Sequence, residues 1–302
     1  MAPRLSFVRS CACLGCTCEF RQSTQPAVLT DKELAFADGL CYHCSLITYV
    51  EEVPAGQAMI NLHNHSTWSD GQYTPDQLAK MAVVSRLTHL GISDHFFTAK
   101  LTVPLFYVDV DEVGEYVADV ARVAEAYGER VQVLAGLEID WSPRAIPRLE
   151  ALWPEIDQLD YVLFEYVQND EWYGESLESL LDALLHIHIP VGLAHNDLSH
   201  NFAPLYTPEQ LVDLLERHDI FVELSTGPAT ATFDRTDAYS IRLWEVLAES
   251  DVRFSVGSDT HNRIDDLANV AGAHRFLEER GLLARLITNW WDPVRRAWAG
   301  QQ

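Results

Sequence analysis

From Met59 to about Arg280 the chain repeats one pattern: a short apolar run, a turn, an amphipathic stretch, then another apolar run. Seven apolar runs read as strands, at 59–65, 90–95, 131–139, 161–167, 191–195, 221–225 and 254–258, and a helical pattern follows each one. Two of the helices open with the same grammar, Thr74-Pro75-Asp76-Gln77 and Thr207-Pro208-Glu209-Gln210. In both, Thr can cap, Pro suits the first helical position, and Gln three residues after the cap can close a capping box. Leu78, Met81, Ala82 and Leu87 then share one helical face. Further helices are expected at 240–250 and from Ile264 to about Arg280. Strict βα alternation implies parallel strands with right-handed crossovers. Seven such units fit an α/β barrel of TIM-like type better than an open doubly wound sheet. The open sheet should carry a Gly-rich phosphate loop after its first strand. Here the first strand runs into His63-Asn64-His65-Ser66, and no such glycine motif occurs anywhere.

In α/β barrels the loops at the C-terminal strand ends converge on one rim, where the chemistry sits. The first strand ends with His63 and His65, followed by Asp70; the second ends with Asp94 and His95. Glu138 lies near the end of the third strand, His195 ends the fifth, Glu223 lies in the sixth, and the seventh leads into Asp259 and His261. Neutral imidazoles mixed with carboxylates are a ligand set for Zn²⁺, Mn²⁺ or Fe²⁺ rather than Ca²⁺. A single His-x-His is weak evidence: twelve His in 302 positions give roughly 0.5 such pairs by chance. His186 and His188 form a second pair where a helix runs into Pro190, and read as structural or surface. His63 and His65 differ because period 2 puts both on one face of a strand, as chelation requires. The coincidence of many such residues at strand ends carries the metal reading.

Composition narrows the functional classes. Forty-five acidic residues against twenty-one basic ones give a formal charge of −24. That balance argues against a coat on long nucleic acid and against a polybasic grip on an anionic membrane. Hydrophobic residues at 48% suffice for a full core. No apolar run reaches the roughly 18–20 residues of a membrane helix. The start, MAPRLSFVRSCACLGC, makes a poor signal peptide, so the expected compartment is the cytoplasm.

The motifs His63-Asn64-His65-Ser66-Thr67-Trp68-Ser69-Asp70-Gly71, Gly91-Ile92-Ser93-Asp94-His95, Gly136-Leu137-Glu138, Ala194-His195 and Gly257-Ser258-Asp259-Thr260-His261 follow one another in order. Together they resemble the successive motifs of the PHP (polymerase and histidinol phosphatase) family, over about residues 59–265. The resemblance implies a distorted seven-stranded (β/α)7 barrel with two or three divalent ions that hydrolyses phosphate esters through metal-activated hydroxide. It implies that His63, His65, Glu138 and Asp259 hold one metal, with Glu138 bridging to a second. Asp70, His95, His195 and His261 would complete the coordination. One segment departs from the family, which usually shows a stretch like Asp-Tyr-Val-Ile-Gly-Ser-Val-His at the fourth strand, its last His a ligand. Here the stretch is Asp160-Tyr161-Val162-Leu163-Phe164-Glu165-Tyr166-Val167, so Val167 stands where that His would. Glu165, two residues earlier on the same face, could substitute as an oxygen ligand; the alternatives are a plain hydrogen bond or ion pair at the barrel mouth, with a two-metal site or an open coordination position.

The expected activity is therefore a metal-dependent phosphoesterase acting on a small phosphorylated metabolite. The alternatives are a nuclease or phosphodiesterase on short oligonucleotides or nucleotide bisphosphates, and a degenerate barrel that binds metal or ligand without turnover. Asp94 is a candidate carboxylate behind the ligands and His200 a candidate acid, though a non-catalytic loop His competes with that role. Lys100, Arg144, Arg235 and Arg263 are candidates for substrate phosphate. Trp68, Phe96, Phe97 and Trp141 are candidates for an apolar substrate wall, with buried packing as the alternative. Residues 1–57 hold all six Cys and form a Cys-rich extension distinct from the barrel of residues 58–302. Cys13, Cys16, Cys41 and Cys44 have zinc-knuckle spacing and are candidates for one additional structural Zn²⁺, with an iron–sulfur or redox role, or thiols that bind nothing, as the alternatives.

Overall fold

The computed structural model describes residues 58–97, 107–228 and 230–288. Strands and helices alternate: β1 (Ile60–Asn61), α1 (Pro75–Val84), β2 (His89–Phe96), α2 (Val113–Tyr127), β3 (Gln132–Asp140), α3 (Ile146–Ile156), β4 (Tyr161–Glu165), α4 (Leu177–Ala183), β5 (Val191–Leu193), α5 (Leu198–Phe202), α6 (Pro208–Arg217), β6 (Ile220–Ser225), α7 (Ala238–Glu249), β7 (Phe254–Gly257) and α8 (Ala271–Glu279). The strands form one parallel seven-stranded sheet in sequential order. Backbone hydrogen bonds then join its first and last strands: Leu62 N–H to Val256 O at 2.7 Å, Asp259 N–H to His63 O at 2.9 Å and His65 N–H to Thr260 O at 2.9 Å. The sheet thus closes into the barrel that the βα alternation implied.

The capping grammar is realised at both repeats. Thr74 and Gln77 form a full capping box on α1, as do Thr207 and Gln210 on α6, each with Pro inside the first turn. Each box contributes about 1 kcal/mol to its helix start. Leu78, Ala79 and Ala82 of α1 are buried against the barrel. The expected first strand, 59–65, is ordered as a regular ladder only at Ile60–Asn61. Beyond it, side chains take over the pairing. Asn61 Oδ1 accepts from the backbone of Ser258 at 3.1 Å, and Asn64 Nδ2 donates to Asn61 Oδ1 and to Gly91 O. Ser258 Oγ donates to Asn64 Oδ1 at 3.0 Å. This buried network welds the β1–β7 seam just below the rim.

The barrel interior is filled from β4. Tyr161 is fully buried and donates its hydroxyl to Leu62 O at 2.5 Å. Its ring takes the space left by two glycines on neighbouring strands. A Cβ on Gly136 would lie 2.4 Å from that ring, and one on Gly91 2.0 Å from the hydroxyl. With Tyr161 facing inward, period 2 turns Leu163 and Glu165 inward as well. The register pairs Gly136 with Tyr161, Glu138 with Leu163 and Asp140 with Glu165, so β3 also delivers alternate residues inward. Among the described residues, no helix is long and apolar enough to cross a membrane.

Candidate metal centre

The sheet brings together residues that are 196 positions apart in sequence, because β1 and β7 are neighbours. At the centre sits Glu138, buried at the C-terminal end of β3. Four imidazoles surround its carboxylate: His195 Nε2 at 2.8 Å, His95 Nδ1 at 3.0 Å, His63 Nε2 at 3.2 Å and His65 Nε2 at 3.4 Å. Asp259 Oδ1 approaches His65 Nε2 at 3.2 Å and His63 Nε2 at 3.7 Å. Asp70 faces the other side of the cluster, 3.3 Å from His261 Nε2 and 3.6 Å from His65 Nδ1. Glu165 lies 3.7 Å from His195 Nε2 and 3.8 Å from His95 Nδ1. The nine residues expected as ligands therefore converge on one rim.

The neighbours of two imidazoles fix their tautomers. His63 Nδ1 lies 2.8 Å from Glu223 Oε2, and both side chains are buried. A carboxylate can only accept there, so Nδ1 keeps its proton and Nε2 is the nitrogen left to face the cluster. His261 Nδ1 donates to the Asp259 carbonyl at 2.9 Å, which leaves Nε2 facing Asp70. Two imidazole nitrogens, His63 Nε2 and His65 Nε2, lie 3.2 Å apart.

Burial and charge set the ionisation. Burial pulls the His63 pKa down, but Glu223 and Glu138 outweigh it and hold it well above the ordinary imidazole range. His195 is likewise opposed by burial yet pushed up to about 9, through its hydrogen bond to Glu138 and that residue's charge. His261 is raised to about 9 against burial by Asp70 and Asp259. His65 falls to about 3, because burial and the neighbouring His261 and His95 all disfavour its charge. Burial would raise Glu138 and Asp259, but the imidazoles around them hold both far below the usual carboxylate range.

These residues fit divalent cations. Glu138 Oε2 and His95 Nδ1 are buried, close together, and lack a well-formed hydrogen bond. Such atoms are costly unless something polar joins them. The ligand atoms fall into overlapping groups that could each hold an ion: His65–Asp70–His95–His261, His63–His65–Glu138, His63–His195–Asp259, Glu138–Glu165–His195 and His95–Asp140–Glu165. Two rim residues also hold strained backbones: His195 has φ 27° and Asp259 φ 54°. Strain of this kind persists where the surrounding structure over-determines a functional geometry.

Other candidates take different places. Asp94 is on the face of β2 opposite to His95 and is fully buried. It accepts from Ser66 N–H at 2.7 Å, Ser66 Oγ at 2.6 Å and Ser69 Oγ at 2.5 Å. It thus anchors the loop that carries His65 and Asp70, and its place is behind the ligands rather than among the reacting groups. His200 is exposed on α5, its backbone N–H donating to Asp197. Arg235 is ion-paired with Asp197, two residues past His195. Arg144 is exposed on the turn before α3. Arg263 is 71% exposed and 3.7 Å from Asp266. Lys100 lies outside the described residues, as do Cys13, Cys16, Cys41 and Cys44. Phe96 and Trp141 are buried in the core, and Trp141 Nε1 donates to Ser176 O, so both take the packing role. Trp68 is half-buried, donating to Asp119 at 3.0 Å, and Phe97 packs under the Arg148 guanidinium. Val167, fully buried, belongs to the apolar core.

Two residues have roles that the motifs did not show. Glu223 was visible in the sixth strand, but its hold on His63 depends on the lateral packing of β1, β6 and β7. Asp140 follows Glu138 by two positions on an inward-facing strand, and that period is the signal that reveals it. Gly257 permits the Glu223–His63 contact: a Cβ there would lie 2.4 Å from the His63 Cβ and 2.9 Å from the Glu223 carboxylate. Gly257→Ala is expected to push His63 off Glu223 and to weaken metal binding at least tenfold, with the fold retained. Competition titration with a chromophoric chelator measures this, and unchanged affinity would contradict the packing argument.

The comparisons with known proteins agree with this geometry. A family model described as the PHP domain matches residues 61–236. A protein of Deinococcus radiodurans named "Probable histidinol-phosphatase" is 23% identical over 219 residues, 62% of this chain and 80% of that protein. The DNA polymerase/3'-5' exonuclease PolX of Bacillus subtilis is 24% identical over 238 residues, 75% of this chain but 38% of its own length. Among solved structures, histidinol phosphate phosphatase from Lactococcus lactis, complexed with zinc, L-histidinol and phosphate, superposes with a TM-score of 0.51 at 15% identity. That match covers 74% of this chain and 94% of the other, and at such identity it speaks to the fold. With the family match spanning more than half of its length, the chain belongs to the PHP domain family, a family of metal-dependent phosphoesterases.

Proposed function

We propose that the chain hydrolyses a small phosphate monoester at a cluster of two or three divalent ions, zinc, manganese or iron, held by His63, His65, Asp70, His95, Glu138, Glu165, His195, Asp259 and His261. The observation that carries this reading is the convergence of four imidazoles on the single buried carboxylate of Glu138. Bound ions supply Lewis acidity: they lower the pKa of water and offset charge at phosphorus. The protein's own groups keep that centre in register. Glu138 draws the imidazoles of β1, β2 and the β5 end to one point. Glu223 keeps the His63 proton on Nδ1, and the Asp259 carbonyl does the same for His261. Asp94 clamps the loop bearing Asp70 through Ser66 and Ser69. Arg235, tied to Asp197 at the edge of the rim, is the described cation best placed for the outer phosphate oxygens. The substrate is small because the chain's surplus of negative charge repels long polyanions.

The test is metal analysis of the purified full chain combined with a phosphate-release panel of monoesters, dinucleotides and nucleotide bisphosphates. Bound metal with monoester turnover supports the reading. Turnover confined to dinucleotides supports a phosphodiesterase instead, and bound metal without turnover a binding barrel.

The raised imidazoles add a pH signature. With pKa values near 9, His195 and His261 are protonated at pH 7 in the metal-free protein, so metal uptake must displace protons. His63, also held well above the ordinary imidazole range, adds a third, so on the order of three protons are expected per loaded centre at pH 7. Isothermal titration with Zn²⁺ in buffers of different ionisation enthalpy should show this release, and identical heats in all buffers would refute it. The sign for stability follows. These raised groups stabilise the metal-free fold fully below about pH 6.5, and that contribution is lost as pH rises through about 9.

A further inference from the structure

The centre is not chemically uniform. On one side, His65, Asp70, His95 and His261 offer three imidazoles and one carboxylate. On the other, His95, Asp140 and Glu165 offer two carboxylates and one imidazole, all buried, with ligand atoms mutually within 4.8 Å. Glu165 also groups with Glu138 and His195, which adds a third carboxylate nearby. This second side exists because β3 and β4 place Asp140 and Glu165 in register on the inward face.

His95 belongs to both groups, yet a neutral imidazole has one lone pair. Its Nδ1 lies 3.0 Å from Glu138 Oε2 and 3.8 Å from Glu165 Oε1, while its Nε2 faces Asp70 Oδ2 at 3.8 Å. The residue is 2% exposed, and Nδ1 is without a well-formed hydrogen bond. A buried nitrogen that faces two carboxylates without a well-formed hydrogen bond to either is where a cation would satisfy all three. If Nδ1 gives its lone pair to that side, the Nε2 proton is left to face the Asp70 carboxylate, the usual outer partner of a ligating imidazole. The neighbouring group then retains His65, Asp70 and His261.

We propose that Asp140, Glu165 and His95, through Nδ1, form an oxygen-rich divalent-cation site that takes a harder ion than the imidazole-rich group beside it. Oxygen ligands suit Mn²⁺ and Mg²⁺, whereas imidazole-rich sets suit Zn²⁺. The centre is thereby built for a mixed pair, with zinc on the His261 side and manganese on the Asp140 side. The proposal rests on the metal-dependent reading above and deepens it by assigning ions to positions.

The experiment uses the full chain, first stripped of metal, then loaded with limiting Zn²⁺, and finally titrated with Mn²⁺ while the free Mn²⁺ signal is followed by electron paramagnetic resonance. The wild type should retain zinc and still bind Mn²⁺. Asp140→Asn and Glu165→Gln, both close to isosteric, should weaken Mn²⁺ binding at least tenfold while zinc content, measured by elemental analysis, stays at the wild-type level. Retained zinc also shows that the variants are folded. Mn²⁺ affinity within twofold of wild type in both variants would overturn the proposal, as would zinc-loaded wild type that binds no Mn²⁺. Failure of the wild type to bind any divalent ion would instead overturn the metal-dependent reading itself.

Discussion

Replacing Glu138 with Gln is expected to lower phosphate release by at least ~10³-fold, about 4 kcal/mol in the barrier. The substitution keeps the shape and removes the charge. It also places an amide donor against imidazole nitrogens whose lone pairs should face a cation. His195, His95, His63 and His65 all lie within 3.4 Å of this carboxylate, so its charge meets four imidazoles at once. The metal count should fall together with turnover, because the carboxylate joins several of the overlapping ligand groups. Turnover at saturating metal and elemental analysis on the same sample test both parts. A variant that keeps its full metal content and most of its activity would remove Glu138 from the centre.

Metal removal should have the second large effect. Without ions, the barrel mouth buries Glu138, Asp140, Glu165 and Glu223 close together. Imidazole protons offset part of that charge, but at the cost of burying them too. An ion present at a thousandfold excess over its dissociation constant stabilises the fold by about 4 kcal/mol. For a barrel of this size each kcal/mol is about 2–4 °C in melting temperature. Dialysis against a chelator is therefore expected to abolish phosphate release and to lower the melting temperature by roughly 10 °C or more per ion lost. Both should return on adding back Zn²⁺ and Mn²⁺. Equal melting curves with and without chelator would count against a built-in metal centre.

Much of the centre is legible in the sequence because barrels sort residues by position. His63, His65, His95, Glu138, His195, Asp259 and His261 stand at strand ends, and strand ends meet. The family resemblance marks Val167 as a missing ligand position, period 2 puts Glu165 on the same strand face, and in the structure Glu165 lies 3.7 Å from His195 and 3.8 Å from His95. The same period would have exposed Asp140, two residues past Glu138. What sequence could not show is lateral packing. Glu223 and Gly257 matter through a contact between three strands that no local pattern encodes. The apolar pattern gives the first strand seven residues, but Asn61 and Asn64 replace its ladder with side-chain bonds. Arg144 and Arg263 follow motifs in sequence yet stand exposed. Arg235 comes near the rim only through Asp197.

The seam between the first and last strands has a consequence for the order of events in the chain's life. His63 and His65 are made nearly 200 residues before Asp259 and His261, and the cluster exists only once β7 has docked beside β1. Contacts so distant in sequence form late in folding, since the loop they close is almost the whole barrel. Until then the early imidazoles have no Asp259 to complete their shell. High-affinity loading must therefore await the docking of β7, and tight metal retention reports that the barrel has closed.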